Sequence, residues 1–153
     1  MIKLSTNEKD LDKEISLKLF VVLTRALQSV RKKVKADIRS HKLNLTEFAV
    51  LELLFHKGPQ PIQKIGDKVL LASSSITYVV DKLEEKKLLE RKPCPNDRRI
   101  THALLTSEGN ELMSEVFPQH SKAIQDIFAG LNTNEKKMMI NQLKKLGLYA
   151  EEL

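Results

Sequence analysis

The 153-residue sequence predicts a mainly α-helical domain that carries one small β-hairpin. Apolar residues recur at spacings of three and four in six stretches of the chain, which is typical of amphipathic helices. Between about residues 88 and 105 this period gives way to Pro, Asn and Asp flanked by apolar and β-branched residues, which indicates a hairpin. Gly and Pro number only five each, too few for a β-sandwich or barrel with many turns.

The composition describes a basic globular chain. Lys and Arg total 26 against 20 Asp and Glu, giving a net charge of +6. This balance favours a polyanionic partner, chiefly nucleic acid or an anionic membrane surface. The longest apolar run, Leu19 to Leu23, is too short to span a membrane, and the N-terminal residues do not resemble a signal peptide. The single cysteine, Cys94, allows no intrachain disulfide, so we expect a cytoplasmic protein with no membrane partner.

The first predicted helix covers residues 10–40. A helix this long is rarely buried by its own small domain, so we expect a partner helix. Its apolar positions follow helical spacing without interruption by Pro or Gly: Leu11, Ile15, Leu19, Val22, Leu23, Ala26, Val30, Val34 and Ile38.

Three shorter helices are predicted next. The second helix begins near Thr46, which can act as its N-cap, and ends at Gly58. Pro61 opens the third helix, at the first position, where a missing N–H is tolerated. The fourth helix covers about residues 72–87, and its apolar stripe consists of Ile76, Val79, Val80 and Leu83.

The hairpin that follows has strands at about residues 88–92 and 99–105. Pro93 and Pro95 fit an edge strand or a loop but not a central strand. The remaining two helices have clear start signals, so the predicted order is α-α-α-α-β-β-α-α.

Thr106 can cap the fifth helix, which we expect to run to about Ala129 with a kink at Pro118. Asn132 and Glu135 can form a capping box for the last helix.

Two short helices followed by a hairpin describe a winged helix–turn–helix, whose second helix lies in the DNA major groove. The hydroxyl-rich start of the fourth helix suits that role, because hydroxyls both donate and accept hydrogen bonds. Capping and solvent exposure would explain the serines alone equally well, but the hairpin downstream favours DNA contact. The positions off the apolar stripe are Ala72, Ser73, Ser74, Ser75, Thr77, Tyr78 and Lys82.

The hairpin tip reads Asp97-Arg98-Arg99. An arginine on a thin hairpin can enter the minor groove, where the potential is most negative. Asp97 can pair with one arginine and hold the shape of the tip, which leaves the other arginine free. Arg91 and Lys92 on the first strand can reach phosphates. The alternative is a solvated turn with a surface ion pair worth ~0–1 kcal/mol.

The chain resembles the MarR family of bacterial transcriptional regulators over about residues 10–150. Five segments carry the resemblance in this order: Leu45-Thr46, residues 75–84 (SITYVVDKLE), residues 88–91 (LLER), Asp97-Arg98-Arg99 and residues 104–109 (LLTSEG). One departure is Lys86-Lys87-Leu88, where the family usually has Gly before the strand. The end of the fourth helix must therefore be closed without the usual residue at positive φ.

The resemblance implies a single domain in which residues 42–106 bind DNA and residues 10–40 and 107–150 form a homodimer. It places Ser73, Ser74, Ser75, Thr77 and Tyr78 in the major groove and Arg98 in the minor groove, with Asp97 and Arg99 bracing the wing. Gln63 and Lys64 on the preceding helix complete the expected contacts to double-stranded DNA.

The segment from Ser75 to Asp97 looks closest to the quinone- and phenol-responsive members of the family. This implies a small aromatic effector, held in a pocket between the dimer helices and the winged lobe. The aromatic and sulfur-containing side chains that could line the pocket are Phe20, Phe48, Met113 and Phe117, although residues at such spacing are more often plain core.

Cys94 could be a redox switch, because Arg91, Lys92 and Arg98 nearby favour the thiolate. With no second cysteine in the chain we favour an inert thiol. The four histidines show no metal-ligand spacing, and the common nucleotide, hydrolase and zinc motifs are absent, so we expect no catalysis, metal or cofactor.

The basic block of residues 31–35 is either a solvated face or a phosphate-contacting flank. As a function, a protein-binding winged helix and a sequence-independent architectural DNA binder remain alternatives to a specific regulator.

Overall fold

The structure is a computed structural model of the chain and describes residues 7–69 and 75–153. The mainly helical fold with a small antiparallel sheet is confirmed. Across these two ranges, no helix is both long enough and apolar enough to cross a membrane. The elements are α1 (Glu8–Ser40), α2 (Leu45–Lys57), β1 (Gln60–Pro61), α3 (Ile62–Lys68), α4 (Ile76–Glu85), β2 (Leu89–Pro93), β3 (Thr101–Leu105), α5 (Ser107–Ile127) and α6 (Thr133–Glu152).

The sheet has three strands rather than the two predicted. Gln60 and Pro61 form β1, which pairs antiparallel with Ala103 and His102 of β3. The strand order is β1-β3-β2, so β3 is central and the proline-ended β2 lies at an edge, as proline requires. A two-residue strand is too short to carry an alternating pattern, so no sequence pattern indicates β1.

The start of α2 differs from the prediction. The N-cap is Asn44, not Thr46, and its side-chain oxygen accepts a hydrogen bond from the Glu47 backbone N–H at 2.8 Å. The Glu47 carboxylate accepts one from the Asn44 N–H at 3.1 Å. This reciprocal pair satisfies two backbone donors, whereas Thr46 lies inside the first turn and is buried. Pro61 is likewise the N-cap of α3 and not its first residue.

The last two helices begin where the sequence predicted. The Thr106 side chain accepts from the Gly109 N–H, and Asn132 with Glu135 forms the expected capping box. Helix α5 ends at Ile127, two residues before the predicted Ala129, because the N–H of its C-cap Phe128 closes the final turn.

Helix α4 is shorter than the predicted 72–87. Within the described residues it begins at Ile76, and Ser75 is its extended N-cap, while the predicted helical positions 72–74 lie outside the described residues. Its C-terminus forms a Schellman motif, in which the Leu88 N–H donates to Leu83 O at 3.0 Å and the Lys87 N–H donates to Glu84 O at 2.9 Å. Lys87 therefore adopts φ 61°, the conformation for which glycine is preferred.

The core lies where α2, α3, α4 and the sheet meet, and one end of α1 and part of α5 extend it. Helix α1 buries only Val34 and Ile38, and no residue of α6 is buried. The fold is thus a compact lobe joined to helices that leave much apolar surface exposed. The side chains with the least exposure are Val50, Leu51, Ile65, Val80, Leu83, Leu89, Ala103 and Met113.

We predict that Lys87→Gly stabilises the protein by about 1 kcal/mol, because glycine relieves the cost of a left-handed residue with a Cβ atom. The free energy of unfolding in urea measures the effect. Lys87→Ala is the matched control: it removes the same charge but keeps the Cβ, and it should leave the stability nearly unchanged. Equal stabilisation by both variants would show that charge and not backbone conformation is responsible.

Candidate DNA-binding interface

Helix α4 has two chemically distinct faces. Val79, Val80 and Leu83 are buried against the core, whereas Thr77 and Tyr78 point away from it, and 59% of Tyr78 is exposed. Its N-cap, Ser75, is also exposed. The predicted contacts Ala72, Ser73 and Ser74 lie outside the described residues. Burial of one face thus fixes which side of the helix is presented to a partner.

The helix α3 that precedes it packs on α4 and contributes two polar residues. Gln63 and Lys64 are exposed on α3. On α4 itself, Lys82 has two neighbours: its Nζ lies 5.5 Å from the centre of the Tyr78 ring and 3.5 Å from a Glu85 carboxylate oxygen. The positive charge of Lys82 is therefore partly balanced from within its own helix.

The wing tip has the arrangement predicted for it. The Arg99 guanidinium donates to both oxygens of Asp97, at 3.2 and 3.3 Å, and the Arg99 backbone N–H donates to the same carboxylate at 3.0 Å. These hydrogen bonds, the side-chain ones first, lower the pKa of Asp97. Arg98 is exposed and has no hydrogen bond or ion pair with any residue in 7–69 or 75–153. The tip therefore presents one unpaired guanidinium on a braced turn.

The two basic residues of β2 differ from each other. Lys92 is exposed and lies 3.4 Å from Glu90. Arg91 is not free, because its Nη1 donates to Glu84 at 2.8 Å and its Nη2 donates to Asp81 at 2.5 Å. The hydrogen bond to Asp81 is the main cause of the raised pKa of Arg91. We had expected Arg91 to face phosphates, and the spacing of Asp81 and Glu84, three apart on one face of α4, was the signal that could have revealed the pairing.

Helices α1 and α6 share an open apolar groove of about 750 Å³. Large apolar side chains on both helices are exposed along and beside it. The charged residues that line it within the described part of the chain are Glu135 and Lys145. The apolar lining consists of Leu19, Val22, Leu23, Ala26, Leu131, Met138, Met139, Leu143, Leu146 and Tyr149.

A cavity of about 390 Å³ lies between α1, α2 and α5. Of the four residues predicted for an effector pocket, only Phe48 lines it. Met113 is fully buried in the core, and Phe20 lies on the outer face of α1 with 68% exposed. Phe117 does not line the cavity, and the centre of its ring lies 4.5 Å from the centre of the His56 ring. Met113 and Phe20 therefore do not line this cavity within one subunit, since aromatic spacing does not show which helix faces the cavity.

The polar groups of this cavity were not found from the sequence. They are Glu52, His56, Lys57, Lys68 and His120. His120 stacks on Phe48 with ring centres 4.4 Å apart, and its Nδ1 lies 2.8 Å from an oxygen of Asp37. The Asp37 carboxylate therefore fixes the orientation of the His120 imidazole.

Asp37 also faces a second histidine. His41 Nε2 is buried 3.6 Å from the other Asp37 oxygen, which is too long for a hydrogen bond, and it has no hydrogen-bond partner in the described structure. The cluster joins the end of α1 to α5 beside the cavity. Sequence spacing could not reveal it, because Asp37 and His120 are 83 residues apart.

Cys94 is half-buried at the base of the wing tip, where its backbone N–H donates to Ile100 O at 2.8 Å. Among the residues that the structure describes, no group of three or more His, Cys, Asp or Glu side chains is placed to hold a metal ion.

Comparison with known proteins agrees with this geometry. Residues 43–101 match the model of the MarR family. The chain is 53% identical over 139 residues to the HTH-type transcriptional regulator MhqR of Bacillus subtilis strain 168, which covers 91% of this chain and 96% of that protein.

Two solved structures share the fold. Bordetella bronchiseptica BpsR, whose DNA binding is regulated by 6-hydroxynicotinic acid, superposes with a TM-score of 0.73 at 27% identity, covering 84% of this chain and 92% of BpsR. Sco3205, a MarR family regulator of Streptomyces coelicolor solved in complex with DNA, superposes with a TM-score of 0.74 at 17% identity, covering 98% of this chain and 91% of Sco3205. Together with the relative at 53% identity, the matched segment shows that this chain belongs to the MarR family of DNA-binding transcriptional regulators.

Proposed function

We propose that the protein is a sequence-specific repressor whose homodimer binds a pseudo-palindromic operator and is released by a small aromatic effector. The observation that carries this proposal is the outward polar face of α4 beside a wing tip whose Arg98 has no ion pair with any described residue. Residues 42–106 would form the DNA-binding lobe. Sco3205, which has the same fold, was solved in complex with DNA, and this supports the assignment.

The two surfaces suit the two grooves of DNA. Side chains of Ser75, Thr77 and Tyr78 carry hydroxyls, which can read base edges or hold phosphates in the major groove. Arg98 would enter the neighbouring minor groove, whose narrow A/T-rich steps attract a guanidinium. The net charge of +6 adds a salt-dependent attraction that does not depend on sequence.

Dimerisation would use residues 10–40 and 107–150, above all the exposed apolar faces of α1 and α6. The exposed apolar side chains of these two helices are too extensive to be left in water without a partner. A second copy of the chain presents the same apolar faces, as a two-fold interface requires. Such a dimer predicts half-sites about 10–10.5 bp apart or at a multiple of that spacing. Binding there would repress by covering a promoter.

A fluorescence-anisotropy titration tests the proposal. The protein is titrated into labelled DNA from upstream of its own gene, with random duplex as competitor and at several salt concentrations. Binding by one dimer that resists the competitor supports a specific regulator. Equal affinity for both duplexes would indicate an architectural DNA binder, and no binding to either would favour a protein-binding winged helix.

We predict that Arg98→Ala weakens specific binding by about tenfold or more, roughly 1.4 kcal/mol, because the minor-groove contact is lost. The same titration measures the loss. Lys122→Ala, which removes one positive charge from α5, is the control and should bind as the wild type does. Unchanged affinity of Arg98→Ala would remove the wing from the mechanism.

We predict that Leu146→Glu dissociates the dimer, because it would bury a carboxylate without a partner in an apolar interface. Sedimentation velocity at micromolar concentration gives the mass. Gln63→Glu introduces the same group on exposed α3 and should remain dimeric. A wild-type protein that sediments as a monomer would contradict the proposed interface directly.

The cavity between α1, α2 and α5 is the proposed effector site. It combines an aromatic wall, Phe48, with polar groups of Glu52, His56 and His120, which suits a flat ring that carries a hydroxyl or carboxylate. The effector of BpsR, 6-hydroxynicotinic acid, has this chemistry. Because the cavity lies between the proposed dimer helices and the DNA-binding lobe, a ligand there can favour one spacing of the two lobes over another.

We predict that Ala49→Phe, which fills the cavity, abolishes binding of 6-hydroxynicotinic acid and of simple phenols and leaves DNA binding unchanged. Isothermal titration calorimetry and the anisotropy assay measure the two properties. Cys94→Ser is the control and should keep both, since the thiol lies outside the cavity lining. A loss of the response to an electrophile in Cys94→Ser would instead assign the sensing to the thiol.

A further inference from the structure

We propose that Arg91 is a positioning residue that fixes the angle between α4 and the wing, and that it does not contact DNA phosphates. This inference rests on the proposed DNA-binding function. It reassigns Arg91, whose place in a basic hairpin strand otherwise favours phosphate contact. The argument starts from the direction of its side chain.

The register of the sheet places Arg91 on the inner side of the wing. Arg91 pairs with Ala103, and residues opposite each other in an antiparallel pair project to the same face. Ala103 is fully buried, as is Leu89 two residues before Arg91. The strand therefore directs Arg91 towards α4. Lys92, the next residue, projects to the opposite face.

The guanidinium makes two hydrogen bonds to α4. It donates from two different nitrogens to Asp81 and to Glu84, which are three residues apart and lie on the same side of the helix. Such a two-point contact fixes direction as well as distance, because the guanidinium is planar and rigid. This contact joins β2 of the wing to α4.

The charge balance argues against a phosphate contact. One guanidinium faces two carboxylates, so this cluster carries a formal charge of −1 rather than +1. If Arg91 turned to a phosphate, Asp81 and Glu84 would be left unpaired on the helix that approaches the DNA. Both carboxylates are about half-exposed, so they would add repulsion.

A second contact holds the far end of α4. Lys86, the C-cap, pairs at 2.5 Å with the buried carboxylate of Glu47 at the start of α2. This contact ties α4 to the core but not to the wing. Asp81 and Glu84 are therefore the residues of α4 whose ion pairs reach the wing in the described structure.

The experiment uses Asp81→Asn, for which the two roles of Arg91 predict different ratios of specific to random affinity. If Arg91 bound phosphate, the substitution would release it and remove a negative charge, so both duplexes would bind more tightly and the ratio would stay the same. If Arg91 positions α4, the ratio of specific to random affinity should fall roughly tenfold, because base contacts need sub-ångström placement. Glu85→Gln is the matched control: it makes the same change in charge on α4, but among the described residues Glu85 pairs with Lys82 of its own helix and not with the wing. It should leave the ratio unchanged.

Arg91→Lys provides the second arm and keeps the charge. Lysine serves as a phosphate contact, but its single rotatable nitrogen lacks the planar fork by which Arg91 holds Asp81 and Glu84 in fixed directions. We therefore expect the ratio of specific to random affinity to fall, while the slope of log affinity against log salt concentration stays unchanged. Arg91→Gln tests for a phosphate contact through the slope of log affinity against log salt concentration. A slope smaller in magnitude by about 0.9 than that of the wild type would reveal such a contact and overturn the proposal. An unchanged ratio of specific to random affinity in Asp81→Asn would overturn it as well.

Urea unfolding without DNA separates this inference from the proposed function. Asp81→Asn and Arg91→Gln should lower the unfolding midpoint by less together than the sum of their separate effects, because each removes the same contact. If the effects of the two substitutions on the unfolding midpoint simply add, Asp81 and Arg91 do not interact and the proposed pairing is wrong. A wild-type protein that binds specific and random DNA equally would overturn the proposed function, while the urea result would still decide whether the wing is held to α4.

Discussion

The burial of one face of α4 is the constraint on which the rest of the structure depends. Val80 and Leu83 are completely removed from solvent, and burial of each such side chain contributes about 1.5–3 kcal/mol. A ten-residue helix has little stability of its own, so this packing is what keeps it helical. Once these residues face the core, Thr77 and Tyr78 can only face outward. A rotation of the helix that altered the outward face would also expose the core.

The elements around α4 extend this constraint to the wing and the long helices. Gly109, in the first turn of α5, lies so close to the α4–β2 connection that an added Cβ would stand 2.0 Å from Leu88 O. The Thr106 hydroxyl donates to Lys87 O at 2.6 Å in the same place. The start of α5 therefore packs directly against the end of α4. A ligand or a partner subunit that displaces α5 would also displace α4.

Much of the fold was predictable because it depends on local signals. The helical period, the Asn132–Glu135 capping box and the turn residues of the wing each act within a few positions, and all three are confirmed. The failures involve choices between local competitors or contacts distant in sequence. Asn44 and Thr46 are both good caps, and only the return bond from Glu47 decides between them. The formation of β1 and the residue at which α4 begins depend on contacts with other elements of the fold.

The interface and the cavity show the same division. The pairing of Asp97 with Arg99 was foreseen because the residues are neighbours. The Asp81–Arg91 and Asp37–His120 contacts were not, since they join elements that only the fold brings together. Net charge indicates the class of partner, but it does not show which cations are free. Arg91 and Arg98 are seven positions apart in one hairpin. Yet the first pairs with two carboxylates of α4, and the second has no ion pair with any residue that the structure describes.

The central claim is that α4 and the wing read a specific DNA sequence as a symmetric pair. Selection of duplexes from a random pool by the full-length protein tests it most directly, because no operator has to be assumed. The account predicts enrichment of an inverted repeat whose half-sites are about 10–10.5 bp apart or a multiple of that distance. A pool that binds but yields no common sequence after repeated rounds would contradict specific recognition.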